Sequence, residues 1–162
     1  VKQCFCLFLF VFLITGCSQE TTTNEKGITK IQNGNVKVYE DVLTLEDVEE
    51  DVDGDGQKER IILNVSPAPQ THPENEGQYL WDDSQVWQLV VKDGNKQYTL
   101  YDDHVQGLAE LYIVNEKENQ NAVVFQQKGT NLKLSVFRGK DGYFEKEVVY
   151  NSEMMLHRST IK

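Results

Sequence analysis

Asp51-Val52-Asp53-Gly54-Asp55-Gly56-Gln57-Lys58-Glu59 runs directly into Arg60-Ile61-Ile62-Leu63-Asn64-Val65. The second stretch is apolar and rich in β-branched residues, the composition of a strand. The first puts aspartates at alternate positions, with Gly54 and Gly56 between and after them. Such a loop can curl until its carboxylates face one point, and like charges held so close repel unless a cation lies among them. Oxygen ligands at the first, third and fifth places, a backbone carbonyl at the seventh and an acid beyond describe a calcium shell. Asp51, Asp53 and Asp55 fill the first three, Gln57 offers the carbonyl, and Glu59 is the further acid. The expectation is a turn clipped by calcium and feeding a β-strand. The competing readings are an acidic turn solvated without metal, or one that holds another ion.

Working outward, the chain alternates on a period of two with turn residues between the runs, which is the β signature. Upstream, Val36 and Val38 alternate with Lys37 and Tyr39 as a first short strand. Leu43 to Val48 either continues as strand, the favoured reading, or forms one helical turn capped by Thr44 and Asp47. Downstream, Trp87, Leu89 and Val91 share one face of a strand that turns at Asp93-Gly94-Asn95-Lys96 and returns through Gln97 to Tyr101. Leu108 to Val114 with Ala122 to Gln126 form a second hairpin. Leu132 to Phe137 with Tyr143 to Tyr150 form a third, turning at Gly139-Lys140-Asp141-Gly142. No segment keeps a helical period. The fold class expected is all-β: a small antiparallel sheet or meander of hairpins, blade-like or a sandwich, with one metal-clipped loop. Residues 28–162 make a single domain, with Ile61, Leu63, Trp87, Leu89, Val91, Leu111, Ile113, Leu134 and Val136 as its expected core.

An EF-hand loop also opens Asp-x-Asp-x-Asp-Gly, but it needs a glutamate at its twelfth place. Ile62 stands there, and no helical pattern flanks the loop. The Asp-x-Asp-Gly-Asp-Gly run before a strand instead resembles the calcium loops of FG-GAP and VCBS-type repeats. It is similar also to the single such loop of small exported proteins from Gram-positive, spore-forming bacteria. The resemblance covers about fifteen residues around Glu50–Val65. It implies Asp51, Asp53, Asp55, the Gln57 carbonyl and Glu59 as ligands, with glutamate where the repeats usually carry aspartate. The loop does not recur in the chain, which excludes an array in which every unit carries one.

The N-terminus has its own pattern. Lys2 precedes an apolar run from Phe5 to Ile14, followed by Thr15-Gly16-Cys17. A positive start, about ten apolar residues and then small ones make a secretory signal, too short for a spanning helix of about twenty residues. Ile14-Thr15-Gly16-Cys17 resembles the lipobox of bacterial lipoproteins. The resemblance implies residues 1–16 as a lipoprotein signal peptide and Cys17 as the diacylated residue. Two acyl chains anchor stably where one is marginal. Residues 17–27 then form the lipidated cysteine and a polar, flexible tether. The localisation implied is the extracytoplasmic face of the cell membrane.

Charge and cysteine narrow the function. The net charge is −10 and the basic residues form no cluster, so a polyphosphate partner is repelled and no nucleic acid is expected. The three cysteines are Cys4, Cys6 and Cys17. The expected domain therefore has no disulfide, thiolate nucleophile or cysteine metal site. The histidines His72, His104 and His157 sit in no motif, and there is no Gly-x-Ser-x-Gly elbow or phosphate-binding glycine loop. Asp102-Asp103-His104 reads as a solvated turn rather than a base with its orienting acid. Trp81, Trp87, Tyr98, Tyr101 and Tyr112 read as core more readily than as a glycan groove. The irregular stretch from Ser66 to Asp83 holds all three prolines, and a loop so long is usually functional or unstructured. Its Tyr79, Leu80 and Trp81 either plug a sheet edge or form a partner contact. The expected function is a non-catalytic, membrane-anchored, calcium-stabilised binding or structural module of the cell envelope or spore coat. Its partner would be an envelope protein or a glycan. The alternatives are a lipid-anchored hydrolase using acids near Asp102 and Asp103, and an accessory or sensor subunit of a membrane complex.

Overall fold

The computed structural model describes residues 27–117 and 120–156. All of their regular structure is β, in eleven strands: β1 (Ile28–Gln32), β2 (Leu43–Glu50), β3 (Glu59–Ser66), β4 (Gln70–Thr71), β5 (Tyr79–Leu80), β6 (Val86–Asp93), β7 (Lys96–His104), β8 (Gly107–Lys117), β9 (Gln120–Gly129), β10 (Leu132–Lys140) and β11 (Tyr143–Asn151). They form a five-stranded sheet ordered β1-β11-β10-β9-β8 and a four-stranded sheet ordered β2-β3-β6-β7, with β4 and β5 as a small separate ladder. Every strand pair is antiparallel.

The two larger sheets pack face to face over one core, the sandwich alternative among the expected architectures. Ile61, Leu63 and Val65 of β3, Trp87, Leu89 and Val91 of β6, and Tyr98 and Leu100 of β7 meet Val123 and Phe125 of β9, Phe137 of β10 and Phe144 of β11. Aromatic pairs bridge the sheets: Tyr98 on Phe144 with ring centroids 5.0 Å apart, and Tyr101 on Phe125 at 4.8 Å. The three expected hairpins form as β6–β7, β8–β9 and β10–β11, and Leu43 to Val48 is strand. The Asp51–Lys58 loop closes a fourth hairpin, with Glu50 opposite Glu59.

Four details differ from the sequence expectation. Val36 to Tyr39 is not a strand. This segment lies over the outer face of the four-stranded sheet, where Gln88 Nε2 donates to the Lys37 carbonyl (2.9 Å) and Gln97 N to Asn33 Oδ1 (2.8 Å). The cover explains why Ile62, Gln88 and Val90, which point away from the core, are buried as well. The first strand is instead Ile28–Gln32, paired with β11. Asp102-Asp103-His104 is no turn, because β7 continues through His104 opposite Val86. In β10 the core residue is Phe137, fully buried, while Val136 is buried outside the core cluster and Leu134 is only half-buried. The expected phase there was one residue out, which turns every side chain to the other face. Leu111 and Ile113 pack on the core while half-buried, at the edge of the sandwich.

Candidate metal centre

The loop between β2 and β3 is held from below by its own second residue. Val52 is a core side chain, 1% exposed. Its N–H donates to Glu59 Oε2 (2.8 Å), and its carbonyl accepts from Gly139 N (3.2 Å) on β10. Asn121 Nδ2, at the start of β9, donates to the Asp51 carbonyl (2.8 Å). Both contacts come from the five-stranded sheet, so the loop of one sheet is docked on the other. Gly139 is what lets it dock. A Cβ there would lie 2.5 Å from both the Asp53 Cβ and the Val52 carbonyl oxygen, closer than any real contact.

Within the loop the aspartates organise the backbone, as Asx turns do. Asp51 Oδ1 accepts from Gly54 N (2.7 Å) and Oδ2 from Gly56 N (3.0 Å). Asp53 Oδ1 accepts from Asp55 N (3.1 Å), and Asp55 Oδ1 from Gln57 N (2.7 Å). Gly54 and Gly56 take φ of 83° and 88°, a left-handed conformation that glycine adopts without a Cβ penalty. The chain thus curls round its own acids.

The curl brings Asp51, Asp53 and Glu59 together, with one carboxylate oxygen from each within 4.8 Å of the others. Glu59 forms the floor. It is 1% exposed and carries one N–H donor, from Val52. Burial pushes its carboxyl up to about 7; the Val52 N–H opposes this, while the charges of Asp53, Asp51 and Asp55 add to it. Burial likewise raises the Asp53 carboxyl, against the N–H of Asp55 and with help from the charges of Asp55, Asp93 and Asp51. Three acids crowded over a buried floor are costly as anions, and a cation among them removes that cost. A carboxylate oxygen that accepts one N–H retains a lone pair for a metal. The donor set is all oxygen, which suits a hard cation. The cluster can hold a metal ion.

Asp55 and Gln57 stand apart from the three converging acids. The Asp55 carboxylate turns to Gln57, taking its N–H and its side-chain Nε2 (3.2 Å). Of Tyr79, Leu80 and Trp81, the tryptophan packs against the core. Trp81 stacks on Trp87 with centroids 5.4 Å apart and Tyr79 meets Trp81 edge-on at 5.9 Å, while Tyr79 and Leu80 remain exposed. Cys17 lies outside the described residues. Asp102 accepts from Tyr39 Oη (2.6 Å) and Gln88 Nε2 (3.4 Å), which ties the cover segment to the sheet. Gly139 was expected only as part of the turn after Phe137, although it lies within β10, and Asn121 was not singled out in the sequence. Each acts across seventy or more residues of chain, and nothing local marks them.

Fold and site define an all-β sandwich with an acidic hairpin loop able to hold a metal ion. No protein-family model, curated protein or solved structure matches the chain.

Proposed function

We propose that this chain is a non-catalytic, extracytoplasmic binding or structural module, anchored through a diacylated Cys17 and stabilised by calcium at the β2–β3 loop. The observation that carries the metal assignment is the convergence of Asp51, Asp53 and Glu59, with one carboxylate oxygen of each within 4.8 Å of the others; the choice of calcium rests on the resemblance of the loop to FG-GAP and VCBS calcium loops. The Gln57 carbonyl, Asp55 and water would complete the shell, as the FG-GAP and VCBS resemblance implies. A site on an outward-facing module suits an environment rich in calcium, where dissociation constants run at about 10⁻⁴–10⁻³ M. The anchor rests on Ile14-Thr15-Gly16-Cys17 alone.

The test is a set of melting curves of the full chain, with millimolar calcium, with magnesium and with a chelator. Calcium should stabilise by about 0.5–1.5 kcal/mol through linkage, and magnesium by less. Asp53→Ala should abolish the calcium effect and leave the metal-free protein unchanged or slightly more stable. Equal melting temperatures in calcium and chelator, with no heat of binding, would refute the assignment. In the same cells, a tagged fatty acid should label the wild type and not Cys17→Ser, and an unlabelled wild type refutes the anchor.

A further inference from the structure

The end of the sandwich away from the metal loop breaks the rule that inward positions are apolar. Along three neighbouring strands of the five-stranded sheet the inward series changes from aromatic to polar. On β9 it runs from Phe125 to Gln127, on β10 from Phe137 through Ser135 to Lys133, and on β11 from Phe144 to Lys146. The registers place these together: Lys133 is opposite Gln127, Ser135 opposite Phe125, and Lys146 opposite Phe137. Lys146 Nζ reaches across to the other sheet, 5.9 Å from the Tyr101 ring centroid and 5.6 Å from that of Phe137. The polar groups open into a cleft of about 870 Å³ between the sheets, bordered also by Asn131 and Asn151.

This end carries unmet demands. Neither Lys133 nor Lys146 forms an ion pair with a described residue. Burial holds the Lys146 ammonium below the ordinary lysine range, and the charge of Lys133 pushes the same way. Gln127 is 91% buried; its Oε1 accepts from Tyr101 Oη (3.4 Å), but its Nε2 has no partner among the described residues. The Ser135 Oγ is buried and likewise without a partner among the described residues. Two cations lining one cleft and an orphaned buried donor destabilise a sandwich end unless something satisfies them. The cleft's acids, Asp102 and Asp103, form no ion pair with either lysine; Asp102 is held by Tyr39 and Gln88, and Asp103 Oδ1 accepts from its neighbour His104 N (2.8 Å). The volume falls within the range of small-molecule sites, about 300–1,000 Å³.

We propose that the cleft between β7 and the β9–β11 face binds a small organic anion, whose carboxylate or phosphate sits between Lys133 and Lys146 while Gln127 and the asparagines hydrogen-bond its body. The chain's net charge of −10 works against general anion binding, so retention would have to come from a built site.

The experiment uses the full chain, with lysine side chains carbon-labelled for NMR and three probes: D-glucuronate, D-glucose 6-phosphate and neutral D-glucose. One or both acids should shift the Lys146 Cε resonance and bind in dialysis, glucose should not, and the acid that binds identifies the anionic group. Lys146→Gln should weaken binding by about tenfold or more. It should leave the melting temperature without ligand unchanged or raised, because a half-buried charge is removed. A control substitution of the surface Lys92 by Gln should change neither. Failure of both acids at about 10 mM, enough to occupy a site with a Kd of about 1 mM, would overturn the proposal. So would equal binding of glucose, or equal binding by Lys146→Gln.

Discussion

Glu59 is the residue at which the metal loop can be tested without changing the chain. Its folded carboxyl titrates at about 7 against an ordinary 4.5. Between those values the folded protein holds a proton that the unfolded chain has released. Without metal, stability therefore falls as pH rises through this window, and a shift of that size corresponds to about 3 kcal/mol. Calcium opposes this slope, because it needs the ionised carboxylate and protons compete with it; its gain of about 0.5–1.5 kcal/mol flattens the slope without reversing it. Melting curves in chelator should rise in midpoint from pH 8 to pH 5, and curves in calcium should rise less. Parallel curves in the two buffers would mean that no ion reaches Glu59. The acid was legible in the sequence as a candidate ligand from its spacing. Its burial was not, because that depends on Val52 turning into a core built from residues much later in the chain.

At the scale of the element, the β2–β3 hairpin is a loop that one sheet offers and the other sheet accepts. The acidic sequence supplies the curl, through Asx contacts from Asp51 and Asp53 and the left-handed Gly54 and Gly56. The docking is supplied by β10, where Gly139 leaves room for Asp53 and donates its N–H to Val52. Gly139→Ala should push the loop off β10. The expected result is a loss of about 1–3 kcal/mol from the clash and a calcium affinity reduced by at least about tenfold, although no ligand has been altered. Calorimetry of this variant against the Gly142→Ala control separates docking from turn strain, since a Cβ on Gly142 meets nothing within 4 Å. If Gly139→Ala binds calcium as the wild type does, the loop is positioned by its own sequence alone. The hairpins themselves were legible, because alternation and turn chemistry are local properties. The cover segment Val36–Tyr39 was misread for the same reason. Its alternation is real, but its place on the outer face depends on Asn33, Lys37 and Tyr39 meeting residues more than fifty positions away.

For the whole molecule, the sandwich has one apolar middle and two polar ends of opposite character. Acids gather at the β2–β3 loop, and Lys133 and Lys146, without ion pairs among the described residues, lie at the far end of β9 to β11. Between them the aromatic residues Phe125, Phe137 and Phe144 form the inner face of the five-stranded sheet. The all-β class could be read from the alternation, but the pairing of the two sheets could not, because both sides of several strands are buried. Ile61-Ile62-Leu63 and Leu89-Val90-Val91 are apolar on both faces, since one face meets the core and the other lies under the cover segment. In β10 the same ambiguity hides the phase, because Ser135, Val136 and Phe137 are all buried. Truncation resolves it. Phe137→Ala removes a ring from the shared core and should cost about 3–5 kcal/mol, as large-to-small core changes do. Val136→Ala removes two methyl groups outside that cluster and should cost about 1–2 kcal/mol at roughly 0.8 kcal/mol per buried carbon. Chemical denaturation of both variants should therefore separate them by more than about 1 kcal/mol, with Phe137→Ala the weaker protein. A larger loss for Val136→Ala would return β10 to the phase its sequence suggests and would turn Lys133 out of the cleft, so the same two melts also bear on the anion site.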